Sequence, residues 1–163
     1  MAGNGYNPLY PHTTLPEESI RKFVSSFFEI SDSPDHNESW VNCFTKDAEV
    51  IMGTDRGNGE NGKCTAQHEW LLISYKICQL TEKSAELREL RSRMWSVVTS
   101  RKHTLTKVFP GRFGGLEEYE LMLFGEVARK KKDGLSAVFS WAGHAILRRE
   151  SECWKFSYYR VWQ

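Results

Sequence analysis

His103 is the residue whose type and setting best suit proton transfer. It opens the run His103-Thr104-Leu105-Thr106-Lys107-Val108-Phe109, whose alternation predicts a strand that stops at Pro110-Gly111. Imidazole gives and takes a proton near neutral pH, which dehydration, enolisation and ring closure all require. The structural alternative is a histidine hydrogen-bonded at the strand's start. Glu120 and Arg91 are polar residues inside otherwise apolar patterns. One reading pairs them across helix and sheet, an ion pair costly to break if buried. The other makes Glu120 a base and Arg91 the holder of a carboxylate or enolate oxygen, and Arg101 is placed to do the same beside His103. Asp32 and Asp35 read first as caps of a second helix or as turn formers.

Other chemistries find little footing. His12, His36 and His68 are isolated, and no histidine pair has metal-ligand spacing. Cys43, Cys64, Cys78 and Cys153 form no Cys-x-x-Cys pair, so no metal site is expected. Cys43 and Cys153 lie in apolar stretches and read as inert core thiols. Walker, dinucleotide-binding and nucleophile-elbow motifs are absent; Gly57-x-Gly59 is loop punctuation.

The elements that must position these residues follow from periodicity. Residues 1–15 read as a flexible arm. Helix spacing begins at Leu15-Pro16-Glu17-Glu18 and places Ile20, Phe23, Val24, Phe27 and Phe28 on one face. Ser31 to Asp35 breaks it, a short helix carries Trp40, Val41 and Phe44, and Ala48 to Met52 forms a strand. Residues 65–80 fit an amphipathic helix, and Ser84 to Trp95 another. The period then falls to two. Tyr119–Arg129, Ser136–Arg149 and Trp154–Trp162 are strands joined by tight turns, with Arg129-Lys130-Lys131-Lys132 as a solvated hairpin tip. Helices followed by long hairpin-connected strands predict an α+β domain over 16–163, its helices laid across a curved antiparallel sheet that curls into a cone. Trp141 shares a side of its strand with Gly143, and His144 points the other way. The expected wall of an enclosed pocket is Phe27, Met52, Trp95, Leu121, Leu123, Trp141 and Tyr158.

The chain of 163 residues is 40% hydrophobic and 13% aromatic, too apolar for disorder, and its net charge of +1 draws it to neither nucleic acid nor anionic lipid. No stretch has the length of a membrane span and the N-terminus lacks a secretory apolar core, so a cytoplasmic, reduced setting is expected.

Several blocks together resemble the fungal SnoaL-like group of the nuclear transport factor 2-like superfamily. They are Arg91-x-x-Met94-Trp95, Ser100-Arg101-Lys102-His103, Lys107-Val108-Phe109-Pro110, Glu120-x-Met122-Leu123-x-Gly125, Trp141-Ala142 and Phe156-x-Tyr158-Tyr159-x-Val161, with Asp47-Ala48-x-Val50-x-Met52-Gly53 ahead of them. The superfamily also holds scytalone dehydratase, ketosteroid isomerase and polyketide cyclases. The resemblance implies a cone-shaped barrel, often no cofactor, and frequent homodimerisation through the sheet. It also implies a catalytic role for His103 and for an aspartate after the first helix, Asp32 or Asp35. Two departures stand out. Gly125 occupies the position that resembles scytalone dehydratase's second histidine, so that enzyme's own reaction does not carry over. Residues 58–83 look like an insertion, either a lid or a surface segment. The expected activity is a cofactor-independent isomerase, cyclase or dehydratase of a polyketide or terpenoid intermediate, with catalytic candidates His103, Asp32 and Glu120. The alternative is a non-catalytic small-molecule-binding or dimerising protein on the same scaffold.

Overall fold

Ile20, Val24, Phe27, Phe28 and Ser31 recur at helical spacing along α1 (Glu18–Ser31) and are its buried face. In a computed structural model, which describes residues 5–53, 72–74, 83–113, 115 and 117–163, that face packs on a curved sheet. α1 is followed by the short α2 (Asn37–Val41), then β1 (Phe44–Gly53), β2 (Leu72–Ser74), α3 (Lys83–Ser96), β3 (Val98–Gly111), β4 (Glu118–Lys131), β5 (Ser136–Glu150) and β6 (Cys153–Trp162). Among the described residues the sheet has six strands in the order β2-β1-β6-β5-β4-β3. β3 to β6 form an antiparallel meander, as the alternating runs predict. β1 departs from the expected all-antiparallel pattern: it lies parallel to β6, because it enters from the helical layer and not through a hairpin.

Strand bulges curl the sheet. Register shifts fall between Leu105 and Lys107 on β3, and between Phe156 and Tyr158 on β6. Each adds local twist and switches the face on which the next residues point. The concave face carries Leu105, Val108, Leu121, Leu123, Val127, Ala145, Leu147 and Phe156, all fully buried. At the centre Phe27 meets Phe156 at 4.7 Å, Phe28 at 5.2 Å, Tyr159 at 5.3 Å and Phe44 at 5.8 Å between ring centroids.

Several boundaries differ from the periodicity. Phe44 belongs to β1 and not to the second helix. Leu72–Ser74 is a strand paired with β1, where a helix over 65–80 was expected. The rest of that stretch lies outside the described residues, as do Cys64, Cys78, His68, Gly57, Gly59 and all but a few residues of the expected insertion 58–83. Cys43 is half-buried, its thiol pushed up to about 11 chiefly by burial, whereas Cys153 opens β6 in an exposed position and is no core thiol. No described helix is long and apolar enough to cross a membrane.

The arm is hydrogen-bonded along the outer edge of β3. Leu105 N–H donates to Gly5 O at 2.9 Å, Leu9 N–H to Thr106 O at 3.0 Å, and Val108 N–H to Leu9 O at 2.9 Å. An edge strand otherwise open to a foreign chain is thereby covered.

Candidate active site

Asp32 is the C-cap residue of α1. The carbonyls that precede it form the negative end of the helix dipole, and α1 has no basic residue in its last turn to answer them. Two arginines from distant segments do so. Arg91, fully buried on α3, donates from Nη1 to Ser31 O at 2.8 Å and from Nη2 to Ile30 O at 3.0 Å and Ser33 O at 2.5 Å. Arg101 on β3 donates from Nη2 to the same Ser31 O at 2.8 Å. Trp40 Nε1–H donates to Ser31 Oγ at 3.0 Å. The end of α1 is thus clamped, and the Asp32 carboxylate with it.

The clamp delivers Asp32 to His103. Asp32 Oδ2 accepts the backbone N–H of His103 at 2.6 Å, and Oδ1 stands 2.5 Å from His103 Nδ1. Arg101 Nε lies 3.8 Å from Oδ1. The side chains of Asp32 and His103 are only 5% and 11% exposed. Burial works against the Asp32 charge, but the hydrogen bonds and charge of His103, with Arg101 beside them, outweigh it and hold the carboxyl below its usual range. His103 is lowered from 6.5 to about 4, first by burial and then by Arg101, against the pull of Asp32. At neutral pH the pair is therefore a carboxylate and a neutral imidazole. An ionised carboxylate only accepts, so the proton sits on Nδ1 and the lone pair on Nε2. Nε2 has no hydrogen-bond partner among the described residues.

Two aromatic rings frame this histidine. Phe28 meets it edge-on at 5.2 Å and Trp141 at 5.9 Å, while Phe28 and Trp141 stack at 5.3 Å. Gly125 and Trp141 are cross-strand partners, and the indole lies over the glycine. A Cβ on Gly125 would come within 2.4 Å of Thr104 O and 2.8 Å of Trp141 Cζ2. The position that resembles a second catalytic histidine is therefore occupied by the indole of Trp141, which needs a glycine beneath it. Trp141 is 5% exposed, and its Nε1–H has no partner among the described residues.

No protein-family model and no curated sequence matches the chain significantly. Solved structures do. A scytalone dehydratase-like protein of Novosphingobium aromaticivorans superposes with a TM-score of 0.67 at 10% identity, over 88% of this chain and 80% of its own. The hexachlorocyclohexane dehydrochlorinase LinA type 2 gives 0.63 at 14% identity, over 88% and 82%. The β subunit of benzoate 1,2-dioxygenase from Burkholderia mallei gives 0.62 at 11% identity, over 91% and 90%. The fold is the nuclear transport factor 2-like α+β cone.

On this nuclear transport factor 2-like scaffold the sequence candidates separate by face. His103, Asp32, Arg101 and Trp141 come together, with Trp95 against the guanidinium of Arg101 at 5.4 Å. Asp35 is exposed in the turn, so of the two aspartates only Asp32 reaches His103. Glu120 is a correction. Strand parity puts it on the outer face, where its Oε1 stands 2.6 Å from His144 Nε2, and neither a pair with Arg91 nor access to His103 is possible from there. Tyr158 is a second: it lies on the same outer face, 5.2 Å from the His144 ring, because the β6 bulge turns Tyr159 inward in its place. Arg91 is a third, since its clamp on α1 occupies it away from any substrate oxygen. Phe27, Leu121 and Leu123 are sealed core, and Met52 is a half-buried neighbour of that core.

Residues missed in the sequence include Arg129 and Tyr6. Arg129, read as part of a solvated tip, is half-buried, hydrogen-bonded to Gln163 at 2.9 Å, and lowered to about 10 by burial and by Arg101. Its register position opposite Arg101 was the available signal. Among the described residues no group of three or more His, Cys, Asp or Glu side chains could hold a metal ion.

Proposed function

We propose that the protein is a cofactor-independent lyase or isomerase, a dehydratase, isomerase or cyclase of a polyketide, terpenoid or related intermediate. The observation that supports it is the buried Asp32–His103 pair with its Nε2 lone pair unclaimed among the described residues. In this reading Nε2 takes a proton from a carbon beside a carbonyl. The C–H electron pair becomes an enolate, which either is reprotonated elsewhere, closes onto an electrophilic carbon, or expels a β-hydroxyl that leaves as water with the proton returned by His103. Asp32 stabilises the imidazolium formed, and keeps the ring in the tautomer that leaves Nε2 free. The buried Trp141 N–H is the donor assigned to the substrate oxygen, and Phe28 and Trp141 supply apolar faces for an aromatic or polyene skeleton. Two neighbours whose names describe a dehydratase-like protein and a dehydrochlorinase are in keeping with proton abstraction coupled to a leaving group. Membership of the fungal SnoaL-like group, a cytoplasmic setting and a homodimer through the sheet belong to the same proposal.

The test is proton exchange in D₂O with β-hydroxy- and β-diketone probes, followed by NMR. Wild type exchanges the α-proton. His103→Ala and Asp32→Asn fall by about a hundredfold or more. The acidic limb of the rate lies near the His103 value of about 4, since the base must be unprotonated. Exchange that survives His103→Ala undiminished removes the acid–base role. The second reading, a small-molecule-binding or dimerising protein, is favoured by the sealed interior at Leu121, Leu123 and Phe27, and by the resemblance to a dioxygenase β subunit. It gains if a probe binds near Trp141, read by fluorescence, and no probe ever exchanges.

A further inference from the structure

We propose that Tyr6, carried by the N-terminal arm, is a positioning residue for the Asp32–His103 pair. Its hydroxyl fixes the rotation of the Asp32 carboxylate so that Oδ1 faces the imidazole. Tyr6 Oη lies 3.0 Å from Asp32 Oδ2, and Lys102 Nζ lies 2.7 Å from Tyr6 Oη. An ammonium group can only donate, so the phenol oxygen accepts from Lys102 and its single proton is left for Asp32. Lys102 also stands 4.0 Å over the Tyr6 ring, which holds the phenol in place.

The arm is anchored to both elements that carry the pair. Ser25 Oγ on α1 donates to Tyr6 O at 2.8 Å, and Leu105 N–H on β3 donates to Gly5 O at 2.9 Å. Tyr6 therefore pins α1 to β3 at the point where Asp32 meets His103. Burial raises the phenol above its ordinary value, so it remains a donor at neutral pH. The charged groups that bear on His103 are Asp32 at the C-cap of α1, Arg101 from β3 and Arg129 from β4, while Lys102 acts on Tyr6 and Asp32. Arg91 of α3 acts on the carbonyls beside Asp32. Among the described residues, Tyr6 is the one donor to Asp32 from outside the two elements it joins. A carboxylate that loses a donor binds a proton, and an imidazolium, more strongly.

The assignment rests on the acid–base reading for its purpose, but its test needs no substrate. The ring nitrogens of His103 are followed by ¹⁵N NMR from pH 3 to 7 in wild type and Tyr6→Phe, a change that keeps the ring over Lys102. In wild type Nδ1 is protonated and Nε2 is not at pH 7. In Tyr6→Phe the midpoint rises by about half a pH unit or more, and the Nδ1–H signal broadens as the carboxylate loosens. Removal of residues 1–10 reproduces the shift. Superimposable titrations of wild type and Tyr6→Phe, with the same Nδ1–H line, overturn the role of Tyr6. An altered titration with no turnover of any probe by wild type leaves Tyr6 in place and removes the catalytic reading instead.

Discussion

At the residue scale the decisive feature is that burial and a charged partner act on one imidazole in opposite directions. Burial disfavours the charged ring, Asp32 favours it, and burial wins, so His103 is neutral down to about pH 4. The depressed value means that the unfolded chain binds the extra proton first. Between pH 6.5 and about 4 the unfolded state carries more protons than the folded one, so stability falls as pH falls through that window. Asp32, also lowered, adds a loss in the same direction below its unfolded value of 3.8. The contribution of His103 is on the order of 3 kcal/mol between neutral pH and pH 4. Urea midpoints at pH 7, 5.5 and 4.5 are expected to decline in wild type and to flatten over that range in His103→Gln. An equal decline in both would assign the acid sensitivity to other groups.

At the element scale, what holds the pair is the end of one helix and the parity of two strands. Arg91 neutralises three carbonyls at the end of α1, where no local lysine or arginine is available. Arg91→Met strips those donors while keeping most of the buried volume, and is expected to cost about 3–5 kcal/mol in chemical denaturation. Arg91→Lys rescues little, because an ammonium cannot reproduce the fork. β4 makes a sharper test. Gly125→Ala drives a Cβ into Thr104 O and the Trp141 indole, whereas at Gly143 the nearest atoms lie at 3.4 Å, ordinary contact. Gly125→Ala is expected to lose about 2–3 kcal/mol and to shift Trp141 fluorescence, with Gly143→Ala within about 1 kcal/mol of wild type. Equal effects at the two glycines would mean that Trp141 does not rest on Gly125.

At the scale of the whole molecule the open question is what the outer sheet face meets. Phe109, Met122 and Phe124 are exposed there at 47%, 37% and 38%, and Phe109 packs edge-on to Phe124 at 5.8 Å. The Glu120–His144 pair lies beside them on the same face. A second copy is the occupant in the proposed homodimer, since an apolar patch ringed by a partnered acid and base suits self-pairing. Sedimentation is expected to give a dimer for wild type and a monomer for Phe124→Glu, with the circular dichroism unchanged. A wild-type monomer at high concentration ends that part of the proposal.

How much of this was legible in the chain follows from the range of each interaction. The order of helices and strands outside 65–80, the inward side of β3, β4 and β5, and the meeting of His103 with Trp141 follow from spacing, because periodicity is a local property and burial selects it. Asp32 could be offered only alongside Asp35, because which turn residue reaches a strand some seventy positions away depends on the clamp by Arg91 and Arg101. Glu120 was misplaced because a polar residue in an apolar run looks the same whether it faces a buried arginine or an outer histidine. Tyr158 and Tyr159 exchanged roles because one extra residue in β6 reverses the side-chain alternation. Tyr6 was hidden because an arm with no periodicity of its own finds its place through hydrogen bonds to another strand's edge. By itself the sequence determined most of the elements and the inward side of most strands; tertiary structure alone decided which charges share a buried site, since Coulomb and hydrogen-bond energies depend on distance in space and not on separation along the chain.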